Sequence, residues 1–529
     1  MRRAFAASIV VIVLFYAIAG FYFPPILWSM IFVAPLALLG SYDYFQRKHA
    51  VLRNFPIIGH FRYMLEKIRP EISQYFIETE TSGVPFSREQ RSVIYQRSKS
   101  ELDTVPFGTI KNVYETGYEW VNHSLRPLHL KPEGLRVTVG GPACTQPYRA
   151  SILNISAMSF GSLSSNAILA LNRGAKINHF AHNTGEGGLS PYHLQGGGDL
   201  IWQIGTAYFG CRTPEGKFCP ETFAQQAIIP SVKMIEIKLS QGAKPGHGGI
   251  LPAAKLTKEI AEIRHVPMGH DVLSPPAHSA FSTPVELLEF VAQLRKLSEG
   301  KPVGFKLCVG KRREFLAICK AMVKTDILPD FITVDGGEGG TGAAPLEFTN
   351  SIGAPLIESL IFVHNALVGF SLREKIRVIA SGKVTTGFDM IKRLALGADM
   401  CNAARAMMLA LGCIQARRCN SNECPVGVAT QNKQLVEGLV VSEKSKRVAN
   451  YHREMCRNVC DMIGAMGIDT PHDLRPWHIM RRTGPTEIKH YGEIYEFLNA
   501  GDLLREPLPD TYKRACSAAS PETFEHVMA

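Results

Sequence analysis

Residues 376–430 read IRVIASGKVTTGFDMIKRLALGADMCNAARAMMLALGCIQARRCNSNECPVGVAT. A short apolar run, Ile376–Ala380, ends in Ser381-Gly382-Lys383. A helical pattern follows over Phe388–Leu396, then Gly397-Ala398-Asp399 and a second apolar run, Met400–Ala404. Strand, glycine turn, helix and strand in that order make a βαβ unit of a parallel sheet. Gly382 at the first strand end, and Ala403 and Ala404 at the second, leave room for backbone amides to approach an anion. In an eight-stranded α/β barrel the loops after the last two strands are the common phosphate site. Ser381, Gly382, Lys383 and Arg405 are therefore the expected phosphate grip.

The same stretch ends in three thiols within twelve residues, Cys413, Cys419 and Cys424, the last followed by Pro425. Structural zinc takes four ligands at close spacing, and catalytic zinc takes a His or carboxylate beside an open position. Clustered thiolates with a following proline suit an iron–sulfur cluster better. Three ligands point to a three-iron cluster (3Fe-4S), or to a four-iron cluster with one protein ligand missing.

Upstream, short apolar runs alternate with helical patterns. Strands are expected at Ile152–Met158, Phe180–Asn183, Met234–Leu239, Asp271–Leu273, Val303–Cys308, Phe331–Val334, Val378–Ala380 and Met400–Ala403. Eight such runs read as a (β/α)8 TIM barrel, with residues 196–230 an insertion over its mouth. Chemistry in that architecture lies at the carboxyl ends of the strands. Those ends carry Ser156-Ala157-Met158-Ser159, Glu186 among glycines, Lys238 with Gln241, and Lys306 from an otherwise apolar run. A later end carries Asp335-Gly336-Gly337-Glu338-Gly339-Gly340. A buried lysine is costly unless paired, so Lys306 is expected to hold negative charge. Glu186 is placed to orient an amine or ammonia. The glycine loop allows close backbone approach to a ribityl chain and phosphate. His278 in a rigid Pro-Pro turn is a weak candidate, since a lone loop histidine is usually structural or solvated. No Walker motif and no dinucleotide fingerprint occurs, so electrons are expected from a partner such as ferredoxin or a reductase subunit.

GCIQARRCNSNECPVGVATQ closely resembles the cluster loop of the glutamate synthase large subunit, and the barrel motifs resemble its FMN-binding synthase domain. The resemblance covers roughly residues 130–480. It implies FMN and an iron–sulfur cluster on Cys413, Cys419 and Cys424. It implies an oxidoreductase acting on CH–NH2 donors, with 2-oxoglutarate reductively aminated through 2-iminoglutarate. By the same resemblance, residues 156–159 line the flavin ring, Glu186 lies close to the substrate, and Lys306 neighbours flavin and substrate carboxylate. The loop at 241–249 resembles the family's QGAKPGxGG segment, with His247 where an acidic residue is common. The family's glutaminase domain, with its terminal Cys nucleophile, is not expected here, because Met1-Arg2-Arg3 leads straight into an apolar run. Nitrogen is then expected from ammonia, an amine or a separate glutaminase. The alternatives are a membrane-associated flavin and iron–sulfur enzyme with a different substrate, or a non-catalytic redox subunit.

The 529 residues exceed one ordinary domain, and 46% of them are hydrophobic. A net charge of +11 suits anionic cofactors, substrates or a membrane face; no nucleic-acid motif is present, so nucleic acid is not an expected partner. Twelve cysteines without a regular disulfide pattern fit a reducing compartment. Cys308, Cys319, Cys401, Cys456 and Cys460 read as packing residues. Residues 4–39 carry no charge and divide at Phe23-Pro24-Pro25 into runs Ala4–Phe23 and Ile26–Leu39. This reads as a transmembrane helical hairpin in lipid, with the second run marginal in length. Arg2 and Arg3 before it, and Arg47, Lys48 and Arg53 after it, put both ends in the cytoplasm and the chain in the cell inner membrane. The expected domains are the hairpin (1–45), a lead-in region with a possible helix at Glu71–Glu80 (46–130), the barrel (131–412), the cluster loop (413–430) and a helical tail (431–529).

Overall fold

A computed structural model describes residues 1–525, and the chain divides into two compact units, residues 1–89 and residues 90 onward.

The first unit opens with the helix Arg2–Tyr22 and a second helical span, Pro24–Phe45. Both are long and apolar enough to cross a membrane, at 21 and 22 residues. The second span is longer than the sequence run suggested, because Pro24 and Pro25 start its first helical turn instead of breaking it. Gly40 lets the helices meet: a Cβ there would fall 2.3 Å from the Phe5 ring. After the short helix Ala50–Asn54 comes Gly59–Ile72, continued by one wider turn, Ser73–Ile77. The helix expected at Glu71–Glu80 thus starts twelve residues earlier and stops before Glu78, where Pro70 is carried inside it.

The second unit is built on a closed barrel of eight parallel strands. In chain order these are Leu153–Ile155, His182–Asn183, Leu200–Ile204, Val232–Lys238, Val303–Leu307, Phe331–Asp335, Arg377–Ser381 and Met400–Ala403. Seven of them lie in the expected runs. The remaining expectation fails twice over. The third strand, Leu200–Ile204, lies inside what read as an insertion, and all five of its residues are buried. Asp271–Leu273 is outside the barrel: Val272–Leu273 pairs antiparallel with Ile250–Leu251, and Leu273 is exposed. The reason is chemical. Strand three alternates an outward Trp202 with a barrel-interior Gln203, so its pattern is not a clean apolar run.

A hairpin, Arg136–Val139 with Tyr148–Ser151, stoppers the amino end of the barrel. Its Val139 and Ala150 pack with Ala181, Ile201, Met234, Phe331, Ile379 and Met400, all buried. Each large side chain so buried contributes about 1.5–3 kcal/mol. The helices Lys433–Glu437 and Val441–Ala465 match the helical segment expected beyond the cysteine loop. The tail adds Ile479–Arg482 and Ile488–His490, which form a three-stranded antiparallel sheet with Glu119–Val121.

Candidate active site

Alternate residues of the barrel strands point inward, and above the apolar floor this interior turns polar. Glu236 is fully buried and accepts from Asn183 at 2.7 Å, Gln203 at 2.6 Å and Thr333 at 2.7 Å. Three donors from three other strands satisfy the carboxylate and lock the barrel radius at that level. Nothing in the sequence marks Glu236; its signal, a Glu inside the run VKMIEIK, is meaningful only once the barrel closes.

One layer higher sit the residues chosen for chemistry. Lys238 and Lys306 are partners in strand register, so two buried ammonium groups stand side by side. Lys238 Nζ meets Glu186 Oε1 at 2.7 Å. Lys306 Nζ lies 3.8 Å from Asp335 Oδ2. Asp335 is also committed elsewhere, accepting from Gly242 N at 2.8 Å. Burial pushes the Glu186 carboxyl up, but Lys238, with Arg264 and Lys244 further off, outweighs it and holds the group below the ordinary carboxylate range. Burial lowers Lys238; Glu186 opposes that shift and Lys306 adds to it. Lys244, from the loop after the same strand, is lowered to about 8 by burial and donates to Ala343 O at 3.1 Å.

The rim is made of loops in backbone contact. A Cβ on Gly242 would fall 1.7 Å from Gly336 O, so only glycine permits that approach. A Cβ on Gly340 would fall 2.6 Å from the Arg405 guanidinium, and Arg405 donates to Glu338 O at 2.7 Å. Gly337 N donates to Ala354 O and Gly339 N to Gly336 O, which folds the glycine loop back on itself. Ser156 Oγ and Ser381 Oγ are 3.3 Å apart across the mouth, and Ser156 N donates to Ala403 O. Met158 N donates to Asn183 O, while Ser159 pairs with Ser162; Ala157 between them is half-buried. Gln241 is half-buried, and Ala404 caps the helix Arg405–Leu411. Lys383 follows Gly382 with a left-handed backbone, φ 42°. Burial lowers its ammonium, Arg405 lowers it further and Glu338 opposes both, so the two cations are within electrostatic reach of each other.

The cysteine loop abuts that rim: a Cβ on Gly342 would lie 3.0 Å from Cys419 Cβ. Burial pushes the Cys413 thiol up to about 12, and Cys419 and Cys424 push the same way. Burial also raises Cys419, with Cys424 adding to it and Lys255 opposing it. The three thiols are thus within electrostatic reach of one another. Among the described residues no three His, Cys, Asp or Glu side chains are grouped so as to hold a metal ion, the three thiols of this loop included. Lys255 holds the loop, donating to Cys419 O at 2.7 Å, Ala429 O at 2.9 Å and Ser162 O at 3.2 Å. Tyr95 OH donates to Cys413 O at 2.7 Å. The sequence reading missed Lys255 and Arg264, whose guanidinium donates to Phe160 O and lies 5.1 Å from the Phe209 ring. His278 is buried between Tyr208 OH and Lys238 O, and burial lowers it to about 4. That is a structural histidine, as its turn suggested. Half-buried His247 meets its neighbour's carbonyl, Gly248 O, and the Phe348 ring edge.

The family model described as a conserved region in glutamate synthase matches residues 142–469, more than half of the chain and all eight barrel strands. The chain belongs to the glutamate synthase family. That family comprises oxidoreductases acting on CH–NH2 donors. The chain is 38% identical over 483 residues to the glutamate synthase large subunit-like protein YerD of Bacillus subtilis, covering 83% of this chain and 90% of that one. It is 33% identical over 321 residues to the archaeal-type glutamate synthase [NADPH] of Thermotoga neapolitana, and here the match spans 60% of each chain. Among solved structures, a flavocytochrome b2 mutant with pyruvate bound aligns over 85% of this chain and 93% of its own at 12% identity, with a TM-score of 0.42. A likeness that remote carries no argument about function.

Proposed function

We propose that the barrel mouth reduces 2-iminoglutarate, formed from 2-oxoglutarate and ammonia with loss of water, to L-glutamate, or the N-alkylimine formed with a primary amine to the N-alkylglutamate. FMN at the mouth and an iron–sulfur cluster on Cys413, Cys419 and Cys424, most simply 3Fe-4S, are the cofactors. The observation that carries the reading is the meeting of two lysine–carboxylate pairs, a glycine rim and a three-thiol loop at one end of one barrel.

The residue chemistry fits both groups, with the three thiols as the donor set for the cluster. Lys383 and Arg405 lie within electrostatic reach of each other, a repulsion that Glu338 offsets in part and that a phosphate would relieve further. Asn402 Oδ1 is buried without a donor, beside Ser381 in strand register, and a heterocyclic N–H satisfies such an acceptor. Buried thiols that raise one another ionise only beside cations, and iron supplies them. Ser156, Ala157, Met158, Ser159, Lys238, Gln241 and the 335–340 loop would border the flavin, with Ser381, Gly382, Lys383, Ala403, Ala404 and Arg405 at its phosphate. Bound there, the flavin supplies hydride chemistry and the cluster supplies single electrons.

The chain's own residues do the rest. Lys306 and Lys238 bring two cations to one buried spot, which binds a dicarboxylate or stabilises negative charge that develops in the reaction. Asp335 stays too far from Lys306 to quench it fully. Glu186, kept ionised by Lys238, accepts from the substrate nitrogen and orients it. Lys244, with its pKa near 8, holds a proton at Nζ at neutral pH and can release it to the amine side. Burial of all these groups excludes water, which would hydrolyse the imine.

The two apolar helices form a bilayer hairpin in the inner membrane, with both ends and the barrel in the cytoplasm. The electron donor is a ferredoxin or reductase subunit, and a separate glutaminase is a possible nitrogen source. The 131–412 barrel, 413–430 cluster loop and 431–529 tail remain the working divisions. An anaerobic titration tests the reaction. Reduced protein is expected to reoxidise with 2-oxoglutarate plus ammonia together and with neither alone; reoxidation only by other acceptors overturns it. Cys419→Ser is expected to abolish iron–sulfur absorption while flavin stays bound, and equal loss of both would speak against the assignment of the loop.

A further inference from the structure

The helix Gly59–Ile72 buries only its first residue, Gly59. Phe61, Met64, Leu65, Ile68 and Ile72 recur every three or four residues, so they form one stripe along it. Phe61, Met64, Leu65 and Ile68 are exposed, Phe61 by 59%, and Tyr75, Phe76 and Ile77 extend the exposed row. A helix of a water-soluble domain turns such a stripe to a core. Among the described residues nothing covers this one.

Asp43 fixes where the helix starts. It stands in the last turn of the second apolar helix, two residues from the end, and its side chain is fully buried. Its carboxylate accepts from Ile57 N at 2.9 Å and meets His60 Nε2 at 2.9 Å. The first turn of the striped helix is therefore tied to the polar end of the hairpin, the level at which headgroups begin. Arg62 and Arg69 border the stripe. Residues 46–77 hold Arg47, Lys48, Arg53, Arg62, Lys67 and Arg69 against two carboxylates, Glu66 and Glu71.

We propose that residues 59–77 lie flat in the headgroup region of the same bilayer, stripe toward the acyl chains and basic flanks toward anionic headgroups. Lipid, not a protein, covers this face. An apolar stripe with Arg62 and Arg69 along one edge, and Lys67 and Glu71 toward the other, has the form of an interfacial helix, and the basic excess of the segment complements an anionic leaflet. Long basic side chains bury their stems along the apolar surface and keep their charge in water. The inference rests on the reading of residues 2–45 as a bilayer hairpin, and the test separates the two.

The full chain is placed in phosphatidylethanolamine–phosphatidylglycerol vesicles with a diazirine side chain replacing, one at a time, Val13, Phe61, Phe76 or Glu66. Illumination is expected to give lipid adducts from positions 13, 61 and 76, and about fivefold fewer from 66, on the polar face. Phe76 guards against a local disturbance at Phe61. Adducts from 13 but from neither 61 nor 76 leave the hairpin standing and overturn the interfacial helix. Cross-links from 61 into a second copy of the chain overturn it in favour of self-association. Absence of lipid adducts at every position, 13 included, removes the hairpin reading and this inference with it.

Discussion

At the amino end of the barrel Arg295 meets Asp330 at 2.9 Å, and Asp330 also accepts from Gly141 N at 2.6 Å and Val303 N at 2.8 Å. At the carboxyl end Lys306 stands 3.8 Å from Asp335 Oδ2, which also accepts from the backbone amide of Gly242. Arg295 and Asp330 are both buried, whereas Lys306 is buried and Asp335 only half-buried, and the two pairs differ in how far they are saturated. Asp330 ties a strand start, a helix and the floor hairpin into one joint, and its lone pairs are spent on protein. The mouth pair is slack, and a second lysine, Lys238, is held against the first. A saturated ion pair holds a fold together; a slack one keeps charge available for a ligand.

Four experiments press on that contrast. Arg295→Met strands the Asp330 charge and should cost about 3–5 kcal/mol of folding stability, read by denaturant unfolding, with activity per folded molecule unchanged. Lys306→Met should lower kcat/KM about 100- to 1000-fold, the scale of losing one preorganised electrostatic partner, with a much smaller loss of stability. Equal stability losses in the two variants would erase the distinction.

The third experiment concerns pH. In the native chain Glu186 sits below the ordinary carboxylate range, so its contribution to stability is present at neutral pH and is lost as pH falls through that lowered value. Lys238→Met leaves burial less opposed, so the Glu186 pKa rises and the acid limb of activity should move up by about 1 pH unit or more. An unmoved limb would show that Arg264 and Lys244 hold the carboxylate by themselves. The smallest effect is expected from removing residues 1–87, ahead of the helix Arg88–Lys99: the barrel should keep its fold and its flavin colour while leaving the membrane fraction. Loss of colour would tie the mouth to the first unit.

Much of this molecule can be read from the chain before folding is considered. The 376–430 stretch announces a strand, a turn, a helix and a strand because each run has its own period and glycine punctuation. The apolar N-terminal runs announce themselves because each is charge-free and long enough to cross a bilayer. The buried lysine in Val303–Leu307 is conspicuous because its neighbours are apolar. Leu200–Ile204 and Glu236 are not, since a polar side chain inside a barrel looks like a polar side chain on a surface until the eighth strand meets the first.

The order of apolar runs, the three close thiols and the charge-free N-terminus were set by local sequence, because each depends on residues within one or two turns of each other. Which carboxylate faces which lysine, which glycine must stay a glycine, and that Lys255 clasps a loop more than 160 residues away were settled by barrel closure. Closure brings strand ends from across the chain to one rim, and no period or motif within a single segment encodes who will be opposite whom.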